Sequence, residues 1–192
     1  MADIKGTYEI GPGDGRVLVK TGREGLAAKV GHDLTIEITR WRAKITVPGP
    51  EAGGLAAAAL TADLDLSSLE VLEGTGGAKP LTDKDRRDIQ ATATKVLGGP
   101  ARATFTSARV IPADGAATHG VIDGTLSLNG MIQPLRLQVA SPAPGLFRGA
   151  AAIRQTDFGI TPYSGFFGAL KLKDEIAVEF EVSFYDLPNR RV

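Results

Sequence analysis

The chain of 192 residues has no cysteine. That excludes disulfides, thiolate zinc sites, iron–sulfur clusters and cysteine nucleophiles. It has only two histidines, His32 and His119. No His-x-His or His-Glu-x-x-His spacing exists, so carboxylates would have to complete any metal centre, and none is expected. Neither charge sign is in excess, since 22 Lys and Arg balance 22 Asp and Glu. Nucleic acid is thereby removed as a main partner, because such binding rests on surplus positive charge. Long apolar runs are also missing. The longest, Leu55–Leu60, is far too short for a spanning helix, so no integral membrane segment is expected. The N-terminal Met1-Ala2-Asp3-Ile4-Lys5-Gly6 shows no signal peptide. As given, the chain reads as cytoplasmic, or as secreted if a leader has been removed. What remains is 43% hydrophobic and 23% charged, ordinary proportions for one globular domain, taken as residues 1–192.

The dominant pattern is period-2 alternation. Leu34, Ile36 and Ile38 alternate with Asp33, Thr35 and Glu37, and Leu60, Ala62, Leu64 and Leu66 with Thr61, Asp63 and Asp65. Ile176, Val178, Phe180, Val182 and Phe184 alternate with Ala177, Glu179, Glu181 and Ser183. The same reading holds at 122–128, 135–139 and 147–153, and more weakly at 7–10, 16–20, 43–47 and 101–110. Such segments are half-buried antiparallel strands. Gly11–Gly15 suggests a hairpin between the first two, and Asn129-Gly130 marks another, which Gln133-Pro134 could lengthen. Pro142–Gly145 is a further turn.

One helix is expected over 82–97. Thr82 suits an N-cap, Asp83 and Asp85 suit the first turn, and Asp83–Arg87 is an i,i+4 pair. Its apolar stripe (Ile89, Ala93, Val96, Leu97) is thin, so the helix should be peripheral; Gly98-Gly99-Pro100 ends it. About eight to ten strands with one helix and no βαβ alternation give an all-β antiparallel barrel or sandwich. Even strand spacing favours the barrel.

The chemistry-bearing candidates are few. His32 shares the inward parity of Leu34 and Ile36; it reads as a core histidine more readily than as a base or ligand. Gly74–Pro80 is glycine-rich but fails phosphate-loop spacing, and reads as a flexible loop into the helix. Trp41 between Arg40 and Arg42 suits a strand end better than a base-stacking site. No catalytic residue and no cofactor is expected. Two features point elsewhere. Ala62, Ala101, Ala103, Gly124, Gly149 and Ala151 are small residues on the inward face. They either leave a lumen for a ligand or make room for Phe105, Phe147, Phe180 and Phe184. Residues 158–170 hold Phe158, Tyr163, Phe166 and Phe167 among three glycines, which suits either a mobile lid or a fixed plug.

Several stretches together resemble the YceI-like, or polyisoprenoid-binding, family. They are Ala103–Ser107, Val121–Gly130 with Pro134 and Leu135, Ile153–Ile160, and Asp174–Val178; Val30–Leu34 looks like an actinobacterial variant. The resemblance implies an extended lipocalin-like barrel of about eight strands around a long apolar chain. That chain would be a polyisoprenoid, an isoprenoid quinone or a fatty-acyl compound. It also implies a possible homodimer. Where many members carry an aromatic segment, residues 74–99 here hold a glycine-rich loop and a charged helix. Parity then assigns Leu34, Ile36, Phe105, Leu126, Phe147, Ala151, Val178 and Phe180 to the lumen. His32, Phe158, Tyr163, Phe166 and Phe167 fall at the mouth. An enzyme using His32 as base, or a filled barrel serving as an interaction module, are the rival readings.

Overall fold

In the computed structural model, residues 5–99, 101–113 and 118–183 are described. The strands are β1 (Gly6–Ile10), β2 (Gly15–Thr21), β3 (Arg23–Glu24), β4 (His32–Ile38), β5 (Trp41–Val47), β6 (Ala59–Asp65) and β7 (Leu69–Gly76). After helix α1 (Asp83–Val96) come β8 (Arg102–Pro112), β9 (His119–Leu128), β10 (Met131–Ala143), β11 (Leu146–Arg154), β12 (Ser164–Gly165), β13 (Leu170–Leu172) and β14 (Glu175–Ser183). Eleven of these form one curled antiparallel ladder in the order β1-β5-β6-β8-β9-β10-β11-β14-β2-β4-β7. A small second sheet has the order β12-β13-β3. The barrel-like all-β architecture is as expected, with eleven ladder strands where about eight were anticipated. Phe184, Pro100 and residues 114–117 lie outside the described residues.

The alternation explains the ladder. Where β14 meets β2, Val178 opposes Val19 and Phe180 opposes Val17. Where β14 meets β11, the same residues oppose Ala151 and Gly149. Glu179 and Glu181 take the outer face, where Arg148 pairs with Glu181 at 2.5 Å. The Asn129-Gly130 turn sets Leu128 opposite Met131. Both turn residues are left-handed (φ 53° and 73°), the signature of a two-residue hairpin whose twist matches its strands. Pro134 therefore does not lengthen the connection. It sits inside β10 opposite Thr125, below the point where β11 begins to pair, so its missing N–H costs no ladder bond.

Two expectations fail. Gly11–Gly15 is a tight turn, with the Asp14 amide donating to the Gly11 carbonyl at 2.8 Å, but β1 and β2 do not pair. The turn permits reversal without choosing a partner; Val17 and Val19 match β14 across the inner face instead. The glycine-rich stretch is not a loop throughout either. Gly74, Thr75 and Gly76 end β7, opposite Leu34, Asp33 and His32. Glycine masks the period there, because it has no side chain to show which face it occupies.

Among the described residues, the edge strands β1 and β7 are not hydrogen-bonded to each other. Local bonds join the seam instead. The Arg40 amide donates to the Ser68 hydroxyl at 2.9 Å, which donates to the Asp65 carbonyl at 2.6 Å. The Thr39 hydroxyl donates to the Ser68 carbonyl at 3.0 Å. Ser68 is the one buried polar residue among those described, and its hydroxyl and carbonyl are both engaged. Beside it pack Tyr8, Ile10, Val17, Ile38, Trp41 and Val182. Trp41 is thus buried, while Arg40 and Arg42 point out to Asp65 and Asp63. That arrangement leaves no exposed ring for a nucleobase.

Helix α1 lies outside the ladder against β7. Thr82 caps it in a full capping box with Asp85, whose carboxyl is held below the usual range by hydrogen bonds from the Thr82 amide and hydroxyl. Its ion pair is Lys84–Asp88, not the anticipated Asp83–Arg87. The Arg86 guanidinium donates to the Val71 and Leu72 carbonyls, fixing the helix to the β7 edge. Its last turn, Val96 and Leu97, packs on the core cluster that holds Ala103, Phe105, Leu126, Leu128, Phe158 and Ile160. The helix is peripheral to the ladder, yet its apolar stripe covers the gap beside β7.

Candidate binding cavity

The ladder encloses a cavity of about 810 Å³. Ile10, Val17, Ile38 and Trp41 form its floor, and Leu34, Ile36, Phe105, Leu126, Val178 and Phe180 its walls. Ile89, Val96 and Leu97 close it on the helix side, with Phe158 and Ile160 towards the other end. Among the described residues no large apolar side chain is completely buried; even Ile38 and Phe158 keep 3% exposure. A chain of this size packed solid would hide several such side chains entirely, so the core is hollow.

The anticipated site residues divide. His32, Leu34, Ile36, Phe105, Leu126, Phe158, Tyr163, Phe166, Val178 and Phe180 all line the cavity. Phe147, Ala151 and Phe167 do not. Phe147 packs with the Tyr8–Val182 cluster near the floor. Ala151 is buried in the wall opposite Val178, too short to reach the lumen. Phe167 is fully exposed. The small residues also divide. A Cβ on Gly149 would lie 2.4 Å from the Phe180 ring, and one on Gly124 would lie 2.6 Å from the Phe105 ring. These two glycines seat rings and contribute no empty space. Ala62 and Ala103 do line the cavity.

Ile10, Val17 and Trp41 belong to the lining without having been singled out. The signal was present: Val17 and Val19 alternate with Arg16 and Leu18, and Trp41 and Ala43 with Arg42 and Lys44. Helix residues entered the wall through tertiary packing, which no strand parity reports.

Polar groups gather at the 158–170 end. The His32 ring donates through Nε2 to the Lys79 carbonyl at 2.8 Å, since a carbonyl only accepts. That nitrogen is committed to holding the 77–80 segment, and no carboxylate contacts the ring. Arg23 is paired with Asp33 at 3.3 Å and donates to the Thr75 carbonyl at 2.7 Å. Gln155 donates to the Lys173 carbonyl at 2.9 Å. Lys79 and Tyr163 are also among the lining residues, and the Lys79 ammonium and Tyr163 hydroxyl have no partner among the described residues. No cluster of potential metal ligands occurs among the described residues. No described helix is long and apolar enough to cross a membrane.

Comparison with known proteins fits this geometry. No curated protein matches the chain. Among solved structures, BcnA of Burkholderia cenocepacia superposes with a TM-score of 0.55 at 17% identity, covering 86% of this chain and 94% of that one. The YCEI protein of Campylobacter jejuni gives a TM-score of 0.46 at 18% identity, covering 77% and 81%. The YceI-like domain matches residues 19–184, most of the eleven-stranded ladder and all of the helix. The chain belongs to the YceI-like family.

Proposed function

We propose that the protein holds one long apolar chain in this cavity and does no chemistry on it. The ligand class is a polyisoprenoid, an isoprenoid quinone or a fatty-acyl compound, carried, stored or sensed. The observation that carries the reading is the cavity itself, about 810 Å³ and walled by aliphatic and aromatic side chains. That volume falls within the range of roughly 300–1,000 Å³ usual for small-molecule sites. Binding is driven by desolvation. Each methylene leaving water contributes about 0.8 kcal/mol, so ten contribute about 8 before the cost of ordering the chain. Lys79 and Tyr163 supply the free polar contacts for a head group.

Solvent extraction of freshly purified protein followed by mass spectrometry tests the reading. A stoichiometric lipid is expected, together with saturable uptake of a fluorescent fatty acid. Ala62→Leu, which adds bulk to the lumen wall, should weaken uptake at unchanged fold. Absence of both lipid and uptake would overturn the proposal, and chemical conversion of the bound lipid would overturn its non-catalytic part.

A further inference from the structure

At the mouth, two segments of the small sheet end side by side. Residues 25–27 follow β3, and residues 166–169 join β12 to β13. The Ala27 amide donates to the Ala169 carbonyl at 2.9 Å, tying the two tips together. The tips present apolar side chains to solvent: Leu26 is 99% exposed, Phe166 is 65% exposed and Phe167 fully so. Phe166 and Phe167 also hold left-handed backbone angles, φ 49° and 54°. Asn129 is the only other non-glycine described residue with positive φ, and asparagine tolerates it where phenylalanine does not. Strain and exposed rings at one place are both unfavourable in water, and together they mark a functional contact.

The surroundings identify the occupant. Residues 22–31 and 163–174 carry four basic and two acidic residues, in a chain of zero net charge. Of these, Arg23 is paired with Asp33, and Asp174 with Arg154. Lys29, Lys171 and Lys173 are exposed and make no ion pair among the described residues. Exposed rings and a leucine beside three exposed lysines, against the one exposed carboxylate of Glu24 opposite Lys171, are the composition of an interfacial membrane anchor. The patch is also continuous with the cavity, since Phe166, Tyr163 and Val30 line it and Val30 is itself exposed.

We propose that this tip docks the cavity mouth on a lipid bilayer bearing anionic head groups. Leu26, Phe166 and Phe167 enter the interface, and the lysines meet the anionic heads. The docking does not require that the cavity hold lipid; it would place an apolar opening against the one phase from which an apolar chain can enter without crossing water.

Flotation of the full chain with vesicles tests this. Vesicles of phosphatidylcholine mixed with phosphatidylglycerol should bind the protein, and phosphatidylcholine alone should bind it more weakly. Leu26→Ser with Phe167→Ser should lower binding about tenfold or more while retaining fatty-acid uptake, which separates this proposal from the cavity reading. Ile111→Ser, an exposed apolar change on β8, should leave flotation unchanged. Failure of the unaltered chain to bind either vesicle would overturn the proposal. So would equal binding by the tip variant, or concentration-dependent self-association that the tip variant abolishes. Equal binding to the two vesicle types would overturn the part assigned to the lysines.

Discussion

The two ends of the cavity are built on opposite principles. At the floor, Trp41, Ile38, Ile10 and Val182 are buried, and the Ser68 hydroxyl and carbonyl are engaged in bonds at the seam. At the mouth, the apolar residues Leu26, Phe166 and Phe167 are outside, and free polar groups remain on Lys79 and Tyr163. One end gains stability from burial and satisfied bonds. The other gives up burial and tolerates left-handed phenylalanines. The contrast shows that the aromatic segment 158–170 is not one device. Phe158 and Ile160 are core residues under the mouth, and Phe166 and Phe167 are not, so the fixed-plug reading fits only the start of the segment.

The sharpest way to break this contrast is to truncate an aromatic at each end. Trp41→Ala should cost about 3–5 kcal/mol in denaturant unfolding, the range for large core truncations. Phe166→Ala with Phe167→Ala should stay within about 0.5 kcal/mol of the parent, as exposed sites do. Equal losses would show that the mouth is part of the core. Ser68→Ala should come next. It leaves the Arg40 amide and the Asp65 carbonyl without a partner at the seam, at about 1–3 kcal/mol. A neutral result would mean that water replaces the hydroxyl.

Thr82→Ala removes the cap of the helix that covers the gap, and should cost about 1 kcal/mol. Hydrogen exchange should quicken in α1 and stay slow in β14; equal quickening across both would tie the helix to the ladder more firmly than its thin stripe implies. The smallest effect concerns the outer face, away from both ends. Hydrogen bonds from Arg136, then Arg109, hold the Asp123 carboxyl at about 2. A carboxyl depressed in the folded chain contributes stability above its unfolded value of roughly 4 and loses it as pH falls towards 2. NMR titration should place the Asp123 midpoint near 2, and Arg136→Gln should raise it. A midpoint in the ordinary carboxylate range in the parent chain would refute the ion triad.

Most of the ladder was legible because a strand with one inner face writes that face into every second residue. Leu34, Ile36, Val178 and Phe180 were placed in the lumen on that signal alone. The signal is silent on three matters. It cannot show partner choice, so the Gly11–Gly15 turn reads as a hairpin although β2 pairs elsewhere. It cannot see glycine, so the end of β7 reads as loop. It cannot tell a lumen residue from a wall residue: Ala151 and Phe147 have the right parity, but a short side chain and a neighbouring cluster keep them from the cavity.

In a closed barrel, strand number and stagger fix the radius. Here, among the described residues, the ladder stops at β1 and β7, and α1, packed on β7, supplies part of the chamber wall through Ile89, Ala93, Val96 and Leu97. Bore is therefore decoupled from topology. Bulkier or slimmer residues at Ile89, Ala93 and Val96 would resize the chamber while leaving every bond between strands in place.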